Sequence, residues 1–283
     1  MTLTSSPRSR PEAPTLPHIS YCLANASGEP LRERDADRVY YAASTMKLAV
    51  LIAAMKLVES GELKLDSQLS AMRNFIGTDG QEFTLMGDHL DDEFPQPGAT
   101  ITVAETLTAM ISRSSNEATN MMMDFTGLVP LQGVLKACRL GKTRIERLIG
   151  DPAAVEHGLT NVTSAADLVR LIRSAVTGSF KEPGICISPE LVQFMTSCLE
   201  RHPIDPIVSS LPAGVRCGSK SGSIDGVRHD VAFIGDPESP DVLYFAVCTE
   251  GIAQPAADVL IAALTDALVV PLLERRLQEP LGA

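Results

Sequence analysis

Tryptophan is absent from the 283 residues, and all aromatics together make only 4 %. A stacking platform for bases or sugars is therefore not expected. No long basic run occurs and the net charge is -11. That balance argues against nucleic acid and anionic membrane as partners. It leaves open a small substrate, because a local basic pocket can sit inside an acidic surface. The six cysteines (Cys22, Cys138, Cys186, Cys198, Cys217, Cys248) form no C-x-x-C pair. They read as reduced core residues rather than a disulfide framework or a zinc site. No apolar run reaches the length of a membrane span. The tract 48–55 ends at Lys56, and the tract 258–272 is broken by Thr265 and Asp266. The opening MTLTSSPRSRPEAPTLP lacks the apolar core of a secretory leader, so a cytoplasmic location is expected. A nucleophile elbow G-x-S-x-G is also missing, which argues against a histidine-based triad.

What is present is an ordinary globular composition, 45 % hydrophobic and 21 % charged. The length suits two interleaved subdomains. Residues 1–17 read as a disordered arm. The segment HISYCLANASGEPLRERD reads as a hairpin turning at Ser27-Gly28. A helix from about Ser44 to Ser60, stopped by Gly61, is apolar on nearly every face and belongs at the centre of the protein. Thr102 to Glu105 is a capping box, Ser164 with Asp167 caps a further helix, and Pro189 opens another. VPLQGVLKACRL reads as a helix ending at Gly141, and 146–162 as a polar, helix-poor loop. After 213 three short apolar runs predict antiparallel strands. A last helix runs from about Pro255 and bends at Pro271.

The expected fold class is therefore α/β (α+β): an antiparallel sheet built from both chain ends and flanked by helices, plus an all-helical subdomain. The boundaries are 18–64 with 201–283 for the α/β part and 65–200 for the all-α part.

Three short elements carry chemistry. In YYAASTMKLAVLIAA, Ser44 and Lys47 form the chain's single S-x-x-K. Positions i and i+3 share a helix face, so the lysine amine can reach the serine hydroxyl. Serine is a poor nucleophile until a base takes its proton. A lysine performs this when burial and a second cation bring its pKa from ~10.4 towards 7. Ser114-Ser115-Asn116 stands at a turn between two helices. It offers a hydroxyl for proton relay and an amide for a substrate carbonyl; read alone, it is better explained as a helix-capping cluster. Lys220-Ser221-Gly222 stands on a strand and supplies the second cation, a hydroxyl and a residue without a side chain.

Together, and in this order, the three elements resemble the serine β-lactamase and penicillin-binding-protein superfamily, most closely class A. The resemblance spans about 18 to 283. It implies Ser44 as nucleophile and Lys47 as its base, with Ser114 and Lys220 in proton relay and electrostatics. It implies Asn116, Ser221 and Arg228 as substrate-binding residues, Arg228 for a substrate carboxylate. The N–H groups of Ser44 and Ser223 would form the oxyanion hole, and Asn120 would brace the neighbouring loop. The implied partner is a small acyl substrate, a carboxylate-bearing one included, with no cofactor and no metal.

Two departures stand out. Ser115 replaces the family's Asp. More consequentially, Ile149 stands where class A enzymes place the glutamate that activates the deacylating water. Asp151 and Glu156 are the nearby substitutes. The implied function is a β-lactamase-like serine hydrolase of an amide, ester or β-lactam with poor β-lactam turnover. The alternatives are an acyltransferase or esterase of a biosynthetic pathway, or a β-lactam-acylated binder. Gly141-Lys142-Thr143 fails as a phosphate loop because position 136 is Lys136. The acidic run Asp88 to Glu93 reads as a solvated loop. His157, His202 and His229 have no ligand at metal spacing.

Overall fold

In a computed structural model of the chain, residues 16–180, 186–203 and 205–278 are described. The arm expected over 1–17 lies almost wholly outside them. Strands β1 (His18–Ala24) and β2 (Pro30–Arg34) form the expected hairpin. Its turn closes because Asn25 Oδ1 accepts from the Ser27 and Glu29 N–H groups and Gly28 adopts φ 83°. β3 (Tyr40–Tyr41) leads through a 3-10 turn, Ala43–Met46, into α1 (Lys47–Glu59). The helix ends at Ser60, with Gly61 at φ 78°. Every residue from Leu48 to Met55 is fully buried, so α1 is the central helix that its all-round apolar pattern predicts.

The next block carries β4 (Gln68–Ser70), β5 (Asn74–Ile76), β6 (Glu82–Thr84) and β7 (Thr100–Thr102). These pair as β4 with β7 and β5 with β6. Helices α2 (Val103–Ser112), α3 (Asn116–Thr126) and α4 (Leu128–Ala137) follow. Then come β8 (Arg144–Ile145), α5 (Pro152–Glu156), β9 (Asn161–Thr163), α6 (Ala165–Thr177), α7 (Pro189–Glu200) and α8 (Pro206–Ser209). The chain finishes with β10 (Cys217–Ile224), β11 (Val227–Ile234), β12 (Leu243–Glu250), α9 (Gln254–Leu268) and α10 (Val270–Gln278).

The main sheet has the order β10-β11-β12-β1-β2, all antiparallel, and is built from both chain ends as expected. Side chains alternate across it. Tyr244, Ala246 and Cys248 of β12 join the core of α1 and α6, whereas Leu243, Phe245 and Val247 pack against Ile261 of α9 and against Val269. Helices therefore cover both faces. The strand β10 is left at the edge, with one side of its backbone unpaired within the sheet.

Several expectations need amending. The block 65–200 is not purely helical, since β4 to β9 lie within it. Nor is it separate from the sheet, because α6 helps to cover it. α4 ends at Ala137 rather than at Gly141, as Arg139 already turns left-handed at φ 52°. The final bend falls at Val269, two residues before Pro271. Cys186 is exposed, so the cysteines are not all core. The segment Gln254–Arg275 is long and apolar enough to cross a membrane by length and composition. In the fold it splits into α9 and α10 and buries Ala257, Ile261 and Thr265.

The capping predictions meet their geometry. Thr102 and Glu105 satisfy each other's backbone N–H. Ser164 accepts from the Asp167 N–H. The Gly141-Lys142-Thr143 amides close on the Asp167 carboxylate at 3.2, 2.8 and 2.7 Å, so this anion-binding nest already holds a side chain.

Candidate active site

Ser44 sits on the 3-10 turn, where residues three apart eclipse. Lys47 opens α1 directly behind it. The turn is held from two sides. The Ala42 N–H donates to the Asn161 carbonyl at 2.9 Å. His229 Nε2 donates to the Tyr41 carbonyl at 2.8 Å, while Nδ1 accepts from the Thr249 N–H at 3.3 Å. These contacts assign the tautomer of a fully buried ring that burial keeps neutral. Ala43, just before Ser44, takes φ 46°, a left-handed conformation that costs a non-glycine residue about 1–2 kcal/mol. Such strain concentrates at functional sites.

The edge strand β10 lies against this turn. A Cβ added to Gly222 would fall 2.9 Å from Ser44 N and 3.1 Å from Thr45 N. Only glycine permits that approach. The missing side chain of Gly222 thus makes room for the Ser44 backbone.

Lys47 is fully buried and its amine faces the other serine motif. Nζ donates to the Ser114 carbonyl, to Ser114 Oγ at 3.1 Å and to Asn116 Oδ1 at 2.8 Å. Ser114 itself sits at φ 61°, the second left-handed non-glycine residue at the site. Ser44 makes no side-chain hydrogen bond among the described residues. Burial pushes the Lys47 pKa well down and the Lys220 ammonium lowers it further; Glu117 and Asp91 pull the other way. Lys220 is also fully buried, donates to the Ser221 carbonyl at 2.8 Å and is brought by burial to about 7. Each of these two buried amines is disfavoured as a cation, and a neutral amine is a group that can accept a proton from a serine hydroxyl.

Asn116 is held at both ends, since Nδ2 donates to the His89 carbonyl at 3.1 Å. That bond brings the acidic loop 88–93 onto the motif, a contact no spacing rule foretold. Glu117, absent from the sequence reading, is fully buried. Its carboxylate accepts from the Asp91 N–H and the Ser115 hydroxyl, with Arg73 Nε 3.6 Å away. Its position directly after Asn116 was the available signal. Ser115, standing where the family has Asp, caps α3 by accepting from the Ala118 N–H.

Two expectations need correction. Arg228 is not open to a substrate carboxylate. It is 7 % exposed, and its guanidinium is shared between Asp258 at 2.7 Å and Asp205 at 2.9 Å. Asp151 is not a free base either. One oxygen caps α5 at the Ala154 N–H and the other accepts from the Thr78 N–H. Glu156 is exposed at the end of α5. Ser223 directs its hydroxyl to Gln254 at 2.9 Å. Ser221 is half-buried, and its hydroxyl meets His202 Nε2 at 3.0 Å. The loop residue Ile149 is held by Asn120 through two bonds, while its side chain packs against the main core.

A mixed fold with an S-x-x-K turn, an S-S-N turn and a K-S-G edge strand converging at one place defines a β-lactamase-like serine hydrolase. The chain belongs to the β-lactamase enzyme family, whose model matches residues 18–270. A β-lactamase from Sphaerobacter thermophilus is 25 % identical, with a TM-score of 0.75 over 91 % of this chain and 92 % of that one. A β-lactamase from Xanthomonas campestris pv. campestris is 23 % identical, with a TM-score of 0.74 over 92 % and 93 %. The structure of PBP-A is 22 % identical, with a TM-score of 0.71 over 95 % and 92 %. Comparison with proteins of curated function gives no match.

Proposed function

We propose that the chain hydrolyses or transfers an acyl group through a covalent acyl-serine on Ser44. The observation that carries this is the buried, charge-disfavoured Lys47 amine one helical turn from Ser44 and bonded to Ser114. Neutral Lys47 takes the Ser44 proton as Oγ attacks the carbonyl carbon of an amide or ester. The Ser44 and Ser223 N–H groups receive the developing oxyanion. Such a donor contributes about 3–4 kcal/mol at the transition state. Ser114 passes the proton from Lys47 to the leaving nitrogen or oxygen. The carbonyl-to-leaving-group bond breaks and the acyl group stays on Ser44.

The second step separates two readings. With Ile149 in the loop and both Asp151 oxygens committed to backbone amides, the loop among the described residues holds no carboxylate poised to activate water. The acyl-enzyme is therefore long-lived with β-lactams, and efficient turnover falls to esters, amides or a non-water acceptor. One related fold, a PBP-A mutant, is known as an acyl-enzyme complex with penicillin G, which supports the covalent reading. Parallel assays with nitrocefin, p-nitrophenyl acetate and a D-Ala-D-Ala peptide test the choice. Turnover of the ester with stoichiometric, slow release of the β-lactam is expected. Fast multiple turnover of nitrocefin would overturn the long-lived reading.

A further inference from the structure

Three polar groups converge on one nitrogen beside the K-S-G strand. His202, on the segment after α7, donates Nδ1–H to the Ile111 carbonyl at 2.8 Å, with the Ser112 carbonyl 3.2 Å away. Its other nitrogen, Nε2, meets Ser221 Oγ at 3.0 Å, the Ser221 N–H at 3.2 Å and Asp205 Oδ2 at 2.7 Å. These contacts cannot all be satisfied in one protonation state. The Ser221 N–H needs a lone pair on Nε2. Asp205 Oδ2, an acceptor, needs a hydrogen there. It is buried and has no partner other than that nitrogen, while Oδ1 is taken by Arg228.

With the ring neutral, Nε2 carries the lone pair. The Ser221 N–H and the Ser221 hydroxyl hydrogen both point at it, and the hydroxyl then offers a ligand only lone pairs. With the ring protonated, Nε2–H turns to Asp205, and the hydroxyl hydrogen is released. Ser221 precedes Gly222, which lies against the Ser44 backbone, so the released hydrogen sits on the edge strand that packs on the nucleophile's turn.

We propose that His202 is a positioning residue that sets the substrate class at Ser221: a neutral or hydrogen-bond-donating group when the ring is neutral, a carboxylate when it is protonated. The inference rests on the acyl-serine reading and deepens it. Arg228 reinforces it, because the cation that would otherwise draw a carboxylate is bonded to Asp205 and Asp258. The charged groups facing the ring are Asp205 on its own segment and Lys220 on β10, with only carbonyls from α2. Arg228 and Asp230 of β11 and Asp258 of α9 stand behind Asp205. Burial and the Lys220 cation lower the His202 pKa, and Asp205 opposes them. The ring is thus neutral at pH 7 and protonates only on the acid side of the usual histidine range.

The test compares Ser44 acylation by benzylpenicillin, whose carboxylate stays ionised, with acylation by neutral p-nitrophenyl acetate from pH 5 to 8. Taking the ratio of the two rates cancels the shared titration of Lys47. The ratio is expected to rise about tenfold towards acid in the native protein. It is expected to be flat in both His202→Phe and Ser221→Ala. A flat native ratio, or an unchanged profile in His202→Phe, overturns the inference and leaves Ser44 as nucleophile. Acylation by neither compound instead removes the reading on which it rests. Side-chain ¹⁵N NMR of the unmodified protein gives a readout that needs no variant. Protonated Nδ1 with bare Nε2 at pH 8 supports the proposal; Nε2–H at pH 8 overturns it.

Discussion

Asn120 grips Ile149 through both of its backbone groups: the Ile149 N–H donates to Oδ1 at 2.9 Å and Nδ2 donates to the Ile149 carbonyl at 2.8 Å. The backbone of the loop is thus braced where the family resemblance places it, and only the side chain lacks a base. Ile149→Glu should therefore speed release of a penicilloyl group from Ser44 by at least about tenfold, towards the lower end of general-base effects. The decay of the adduct mass after removal of free penicillin measures this. An unchanged lifetime would show that the loop does not present position 149 to the acyl group.

Removing the brace itself is a stability test. Asn120→Ala strands the Ile149 N–H and carbonyl in a mostly buried setting. The cost of unsatisfied buried groups is about 1–3 kcal/mol each. Urea denaturation should show a loss on the order of 2 kcal/mol. A loss under about 0.5 kcal/mol, the usual range of a surface substitution, would contradict it.

Asp151 gives a contrasting prediction. As helix cap and anchor of the Thr78 N–H, its replacement by Ala should lower stability by about 1–2 kcal/mol. The acylation and deacylation rates per folded molecule should stay within about twofold, well short of a general-base loss. A drop in deacylation of a hundredfold would restore Asp151 as the base.

The two buried lysines fix a sign for pH dependence. Lys220 has its folded value at about 7 against an ordinary 10.5, and Lys47 is lowered in the same direction. Between those values the unfolded chain binds more protons than the folded one, so stability rises with pH through that window. Denaturation at pH 7 and at pH 8.5, below the ionisation of the unfolded chain's cysteines, whose buried thiols are raised in the fold, should differ by about 2 kcal/mol, with the protein more stable at the higher pH. Lys220→Met should flatten the slope. A fall in stability over the same window would mean that the amines are not disfavoured as cations.

Much of the frame was legible in the sequence because local signals and global packing agree. The all-round apolar α1 is central, the Thr102 capping box and the Ser164 cap form as written, and the last three strands join the first hairpin in one sheet. Ser44, Lys47, Ser114, Asn116 and Lys220 were legible as motifs, since each residue type has a chemical reason at that spacing. The short strands β4 to β9 were not, because two- and three-residue pairings leave no periodicity to read. Arg228 misled because its partners, Asp205 and Asp258, lie 23 and 30 residues away along the chain. His202 is illegible for the same reason. It was weighed only as a metal ligand, and its partners Ile111 and Ser221 meet it through the tertiary fold.

The central claim is a covalent acyl group on Ser44, and intact-mass spectrometry with peptide mapping tests it most directly. After minutes with excess penicillin G, the native protein should gain one penicilloyl mass, mapped to the peptide bearing Ser44 and absent in Ser44→Ala. No adduct and no turnover with penicillin or an activated ester, or an adduct that persists in Ser44→Ala, would contradict the account.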